Sequence, residues 1–295
     1  MKMAAPKLAE LPTPRRDYWP SRGATLFERQ RLSTSDVDRI DRYATEQRLR
    51  FGDAAVRLSL ASQGDIESAL AEQFKYPILR RGGANGVADD VIAAYDPKNE
   101  VVEPLRTLRS QLILRWRSAC RGNVLAITSP DRGDGRSWLA ANLATVFAQA
   151  GERTLLIDTD MRHPSQHRLF NLDNRPGLSA LLTGRTGGRE VLRLIHPRLK
   201  LRVLTAGILP PNPQELLVRP LFKGVLHRLS QLFDLIVLDT PAATETADAQ
   251  ILSARAGTAV ILARRNRTCP ADLSAAMANL VGSGVNVIGS VVTDH

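Results

Sequence analysis

Residues 124–142 read VLAITSPDRGDGRSWLAAN. The apolar, β-branched run from Val124 to Thr128 stops at the turn formers Pro130, Gly133 and Gly135, and helical spacing follows at Leu139, Leu143, Val146 and Phe147. This order predicts a strand, a glycine loop and a helix. A helix that starts there presents unpaired N–H groups and the positive end of its dipole, and the glycines let backbone amides close around phosphate oxygens. Gly133, Asp134, Gly135, Arg136, Ser137 and Trp138 form the expected cradle, with the Ser137 hydroxyl offered to a metal. The pattern GxxxxGK[ST] calls for Gly at 130 and Lys at 136, where this chain has Pro130 and Arg136. Trp138, where Thr or Ser is common, is expected to narrow the entrance.

The residues that follow define the fold class. Gly151 suits the position just past a helix end, and buried-strand patterns recur at 154–157, 201–204, 235–238, 258–262 and 285–292. Helical patterns separate them, from about Pro213, near 247–254 and from about Asp272, while the stretch from Asp158 to about Pro197 reads as helix and loop. Strands alternating with helices imply an α/β protein with a doubly wound, mostly parallel sheet, as in P-loop NTPases. Ligands of such sheets bind beyond the carboxyl ends of the strands, where the glycine loop, Asp158 and Asp239 all emerge.

A length of 295 residues favours two domains, and 43% hydrophobic content is enough for ordinary cores. Residues 1–22, with Pro6, Pro12, Pro14 and Pro20, read as a flexible lead. Residues 23–80 read as a small helical domain, 81–100 (Gly82, Gly83, Gly86, Pro97) as a linker, and 101–295 as the sheet domain. The net charge of +10 sits mostly in residues 100–295, which hold 24 Lys/Arg against 16 Asp/Glu. Those charges are scattered singly among few aromatics, which argues against nucleic acid as a partner. No apolar run reaches the roughly 20 residues of a membrane span, and the opening residues lack the apolar stretch of a signal peptide, so a cytoplasmic protein is expected. Cys120 and Cys269 are too few for a disulfide framework and read as reduced thiols.

In the first domain, Ser33 or Ser35 is expected to cap a helix carrying Val37, Ile40 and Tyr43. Ser62 or Gln63 opens another, with Ile66, Leu70 and Phe74 on one face. Arg50, Gly52, Ile66, Leu70 and Gln73 fit RLGxxLx10LxxxLxxQ, with Phe51 and Ala55 as apolar substitutes. This resembles the N-terminal domain of secretion and pilus ATPases of the MshE kind, whose tandem motif binds cyclic di-GMP. The resemblance implies Arg50 on phosphate or a guanine edge, Gly52 at a close backbone approach and Gln73 on polar edges. The upstream copy is incomplete: Ile40 and Gln47 repeat, but Leu26 and Ala44 stand where Gly52 and Leu70 do. A plain helical docking domain is the alternative.

Phosphoryl transfer requires neutralised phosphate charge, a metal on oxygen ligands and an oriented acceptor. Asp239 ends the apolar run FDLIVLD, where it would reach a metal, and TLLIDTDMRHP sets Asp158 and Asp160 two residues apart beside Arg162. Glu103, Arg106 and Arg109 form ExxRxxR, one side of a helix. His163 and His167 lack a third metal ligand, and the run Arg264, Arg265, Arg267 reads as a solvated turn or a face toward anionic lipid.

Together these motifs resemble the bacterial tyrosine kinases of polysaccharide export (BY-kinases), most closely the EpsG-like chain-length-determinant kinases that join an MshE-type domain to the kinase domain. The likeness covers nearly everything from about Gly23. It implies a Walker A′ motif at Asp158, Asp160, Arg162 and Pro164, a Walker B residue at Asp239, and oligomerisation through Glu103, Arg106 and Arg109. Asn142, Asp248 and PNPQELL at 211–217 also fit. The implied protein is an ATP- and Mg²⁺-dependent, homo-oligomeric tyrosine kinase that regulates exopolysaccharide polymerisation or export. It would lie on the inner membrane through a separately encoded Wzz-like chain-length-determinant protein. Arg136, Asp158 and Asp160 would be catalytic, with Asp158 as base, and Ser137, Asp158 and Asp239 would hold the metal.

Two departures shape the expectation. Such kinases usually end in a tyrosine cluster, whereas here the tyrosines are Tyr18, Tyr43, Tyr76 and Tyr95. Arg136 keeps the positive charge but is bulkier than lysine and cannot follow the phosphoryl group as a point charge, so nucleotide binding survives more easily than fast transfer. A nucleotide-operated switch or weak ATPase, similar to division-site and partition ATPases, is the alternative. Their loops usually carry a second lysine, and no lysine occurs between Lys98 and Lys200.

Overall fold

The computed structural model describes residues 32–73, 76–79, 81–82, 86–117 and 122–294, so the lead expected over 1–22 lies outside the described residues. The chain divides into two units, Met1–Tyr76 and Pro77–His295. Among the described residues no helix is long and apolar enough to cross a membrane.

The first unit contains α1 (Thr34–Gln47), α2 (Phe51–Arg57) and α3 (Gln63–Gln73). Ser33 caps α1 through a reciprocal pair: its hydroxyl accepts from the Asp36 amide, and the Asp36 carboxylate accepts from the Ser33 amide at 2.9 Å. Ser62 and Asp65 repeat the device at α3. The core of this unit is Ile40, Phe51, Ala54, Ala55, Ile66 and Ala69. Gly52 has a packing reason to be glycine, because a Cβ there would lie 2.8 Å from Ile66 Cγ2. Leu70, expected on the buried face of α3, is 44% exposed, and Ala69 takes the inward position instead. Arg50 and Gln73 are exposed.

The second unit runs α4 (Val102–Leu112), β1 (Val124–Thr128), α5 (Arg136–Gln149), β2 (Thr154–Asp158), β3 (Arg193–His196), β4 (Leu199–Leu204), α6 (Pro213–Val218), α7 (Pro220–Ser230), β5 (Leu235–Asp239), α8 (Asp248–Ala256), β6 (Thr258–Arg264), α9 (Pro270–Gly282) and β7 (Asn286–Thr293), with short helical turns between. The sheet order is β3-β4-β2-β5-β1-β6-β7. Every pair is parallel except β3 with β4. Strand β3 falls where helix and loop were expected. It is a four-residue edge strand without a fully buried residue, so it leaves no apolar run to read. Helix α5 is apolar on all sides because other elements surround it, and Gly151 (φ 95°) closes its end.

The segment expected as a linker is a strap on α5. Val87, Val91, Ala93 and Ala94 are buried in the same core as Leu139, Leu143 and Phe147. Asn142 Oδ1 accepts from the Ala93 amide at 3.0 Å, its Nδ2 donates to Asp90 O at 2.8 Å, and Gln149 Nε2 donates to Ala93 O at 2.7 Å. The glycines and charges of this stretch outweighed its apolar spacing in the sequence, and the unit boundary falls earlier, after Tyr76. Asn142, which fits the family pattern in the helix behind the loop, is a brace for the strap. Asn142→Ala strands the buried Ala93 N–H, which costs about 1–3 kcal/mol. A melt should show a midpoint roughly 2–10 °C lower, with nucleotide affinity unchanged.

Candidate active site

The loop between β1 and α5 adopts the geometry its glycines suggest. Gly133 (φ 80°) and Gly135 (φ 99°) are left-handed, and Gly135 begins α5 without a side-chain cap, which leaves first-turn amides for an anion. Asp134 turns inward and does not face a ligand. Its Oδ2 accepts from the Asp131 amide at 2.9 Å and its Oδ1 from Thr268 Oγ1 at 3.0 Å, so it braces the loop. Trp138, expected at the entrance, is half-buried against the core under α5. Arg136 is 8% exposed, and its guanidinium folds back onto the loop, donating to Thr240 O at 2.9 Å, to Ser129 Oγ and to Asp131 O.

Strand pairing brings the two chief carboxylates together. Asp158 and Asp239 are direct partners at the carboxyl ends of β2 and β5, and both are fully buried. Asp158 Oδ2 accepts from the amides of Ser165 and Gln166, each at 2.9 Å, and Oδ1 accepts from the Asp160 amide at 3.2 Å. Burial foremost, and then the charge of Asp239, hold the Asp158 carboxyl well above the usual range despite these donors. Asp239 Oδ2 accepts from Gln166 Nε2 at 2.7 Å, and the neighbouring Ser137 hydroxyl favours the charged form of this carboxyl. Its Oδ1 is buried without a partner. A hydroxyl beside a carboxylate with an orphaned oxygen is a hard-oxygen donor set, which fits a magnesium ion or its waters.

Burial pushes Asp239 up to about 6, against the lowering influence of Gln166, Ser137 and Arg136. The sign follows from linkage. Between about pH 4 and about pH 6 the folded chain holds this proton more tightly than the unfolded chain, so metal-free stability falls as pH rises through that window. In EDTA the melting midpoint should be higher at about pH 5 than native-like linkage without this group gives, and Asp239→Asn should flatten the difference between about pH 5 and about pH 7.5.

The remaining predicted residues are near but differently engaged. Asp160 Oδ1 accepts from the amides of Arg162 (3.2 Å) and His163 (2.8 Å), and its charge raises both Asp158 and Asp239. Arg162 pairs with the buried Asp248 at 3.4 Å. On α4, Arg106 bonds Glu103 (3.1 Å) and Pro97 O (2.8 Å), and Arg109 donates to Val146 O at 2.9 Å, near the carbonyl end of α5. Sequence reasoning missed Gln166 and Glu245, and missed the loop contacts of Arg264 and Arg267. Gln166 touches Asp158, Asp239 and Ser137 O. Glu245 pairs with Arg132 at 3.5 Å and lies 3.9 Å from His163 Nδ1. Residues 265–267 form the exposed turn that was expected, and in addition Arg264 and Arg267 donate to Gly133 O and Arg132 O, each at 3.0 Å. Their clustering was visible in the sequence, whereas nothing marked Gln166 or Glu245. A cavity of about 550 Å³ flanked by Arg153, Leu199 and Phe233 lies at the opposite, amino ends of the strands.

Residues 123–263 match the family profile of the ATPase MipZ. The tyrosine-protein kinase ptk of Acinetobacter johnsonii is 34% identical over 205 residues, which is 69% of this chain and 28% of that protein. The chain thus spans just over a quarter of that longer relative. Tyrosine-protein kinase YwqD of Bacillus subtilis (strain 168) is 33% identical over 214 residues, 72% of this chain and 90% of that protein. The kinase domain of Escherichia coli tyrosine kinase ETK superposes with a TM-score of 0.67 at 30% identity, covering 72% of this chain and 82% of that one.

Proposed function

Because the chain belongs to the family of bacterial tyrosine-protein kinases, we propose that it transfers the γ-phosphoryl group of ATP to protein tyrosines, with magnesium held by Ser137, Asp158 and Asp239. The observation that carries this reading is the buried pair Asp158 and Asp239, with Asp239 Oδ1 unpaired, at the strand ends beside the loop helix whose first turn holds Ser137. Loop amides around Gly133 and Gly135 and the Arg136 cation bind and orient phosphate oxygens. Magnesium, when bound, offsets negative charge on the β- and γ-phosphates. Asp158 takes the proton of the tyrosine hydroxyl as that oxygen attacks phosphorus and ADP departs. Asp160, through its two amide bonds, and the Arg162–Asp248 pair hold the A′ loop in place.

We further infer an EpsG-like role in exopolysaccharide chain length, polymerisation or export. A Wzz-like membrane partner, self-association through Glu103, Arg106 and Arg109, and a cytoplasmic location at the inner membrane go with it. Purified protein given ATP, Mg²⁺ and the cytoplasmic tail of such a partner should form phosphotyrosine. ATP binding without phosphotransfer overturns the kinase reading and leaves a nucleotide-operated switch, which the capture of Arg136 by loop acceptors favours as the second reading. For residues 32–73, calorimetry of the full chain with cyclic di-GMP, repeated on Arg50→Ala, tests that ligand. No heat with the native chain removes it.

A further inference from the structure

We propose that Gln166 is a positioning residue of the metal site: its Nε2 locks Asp239 against the start of α5, and its Oε1 accepts from a water of the cation's hydration shell. This rests on the nucleotide site proposed above. The side chain is fully buried and its Nε2 donates to Asp239 Oδ2 at 2.7 Å and to Ser137 O at 3.1 Å. Both neighbours can only accept, so the amide nitrogen must face them and the oxygen must face away. That orientation leaves Oε1 buried without a donor, as Asp239 Oδ1 is. Two orphaned acceptors on bonded side chains mark a place where donors arrive from outside the chain. Magnesium keeps several of its waters when bound, and those waters are donors.

The backbone fixes where this amide stands. The Gln166 N–H donates to Asp158 Oδ2 at 2.9 Å, so one residue contacts the loop helix and the carboxylates of both β2 and β5. A neutral amide can do this without competing with the cation for the carboxylates, as a lysine or arginine would. Residues that orient metal ligands in this way typically carry about 10- to 100-fold in metal affinity.

The test is ADP binding by calorimetry on the full chain, with Mg²⁺ and with EDTA, in native protein, Gln166→Met and Gln166→Glu. Gln166→Met keeps length but removes donor and acceptor. Its affinity in EDTA should stay within about twofold of native, while the gain on adding Mg²⁺ falls by about tenfold or more. Gln166→Glu keeps an acceptor and sets a second carboxylate beside Asp239. Affinity in EDTA should fall and the Mg²⁺ gain should equal or exceed the native gain. A residue that only packs the core would move both variants the same way with and without Mg²⁺, and that result, or a native Mg²⁺ gain in both, overturns the inference. If Gln166→Met does not melt cooperatively, Gln166→Glu decides it by the same comparison. Native protein that fails to bind ADP overturns the nucleotide-site reading and this inference with it, whereas native binding with unchanged variants overturns this inference alone.

Discussion

Asp158→Asn is expected to lower tyrosine phosphorylation by about 10²- to 10⁴-fold, the usual contribution of a general base, with a much smaller change in stability. Two structural effects oppose each other. The carboxylate accepts three backbone N–H groups on its two oxygens, so either orientation of an asparagine amide sets an NH₂ against at least one donor. That loss costs about 1–3 kcal/mol. In return, a neutral group removes charge repulsion from the neighbouring buried Asp239, the repulsion that helps push Asp158 upward. The melting midpoint therefore shifts by only a few degrees while transfer collapses. ADP binding, phosphotransfer and a thermal melt on the same sample separate the two. Transfer within tenfold of native would reassign the base to another group.

Arg136 is the second large lever, and its two substitutions should move activity in opposite directions. The guanidinium is tied to three neutral acceptors on the loop and at the end of β5, so it acts as a fixed cation near Asp239. Lysine at this position has fewer donors to spend on Ser129, Asp131 and Thr240, and a compact ammonium that can follow the transferring group. Arg136→Lys should raise the transfer rate by about tenfold, the equivalent of one and a half kcal/mol or so of added transition-state stabilisation. Arg136→Met leaves buried acceptors and Asp239 without their cation. Losing a hydrogen bond made by a charged group costs about 1.5–3 kcal/mol, so nucleotide affinity should fall roughly 10-fold or more. A lysine variant slower than native would mean that the arginine is itself suited to the reaction and that the loop is not a slowed form of the usual one.

Much of the fold could be read along the chain because its signals are local. A run such as TLLID is buried on both faces only in a covered parallel sheet, and the strand from Val124 to Thr128 ends where Pro130 and the glycines end it. The strap over α5 could not be read this way. VADDVIAAY carries glycines upstream and aspartates within it, and its burial depends on Asn142 and Gln149, which lie about fifty residues further on. Edge strand β3 was hidden for the opposite reason: it has one neighbour and so needs no apolar run.

The candidate site divides along the same line. By itself the sequence determined the α/β class, the phosphate loop, the strand-ending positions of Asp158 and Asp239, and the arginine in place of lysine. These follow from periodicity and from spacing within one strand–loop–helix unit. Only the tertiary structure decided that Asp158 and Asp239 face each other, that Asp134 and Asn142 are braces, and that Gln166, Glu245, Arg264 and Arg267 surround the loop. The physical reason is the strand order. Placing β2 beside β5, β5 beside β1 and β1 beside β6 joins side chains more than seventy residues apart, and no local pattern records which hydrogen bonds form across those seams.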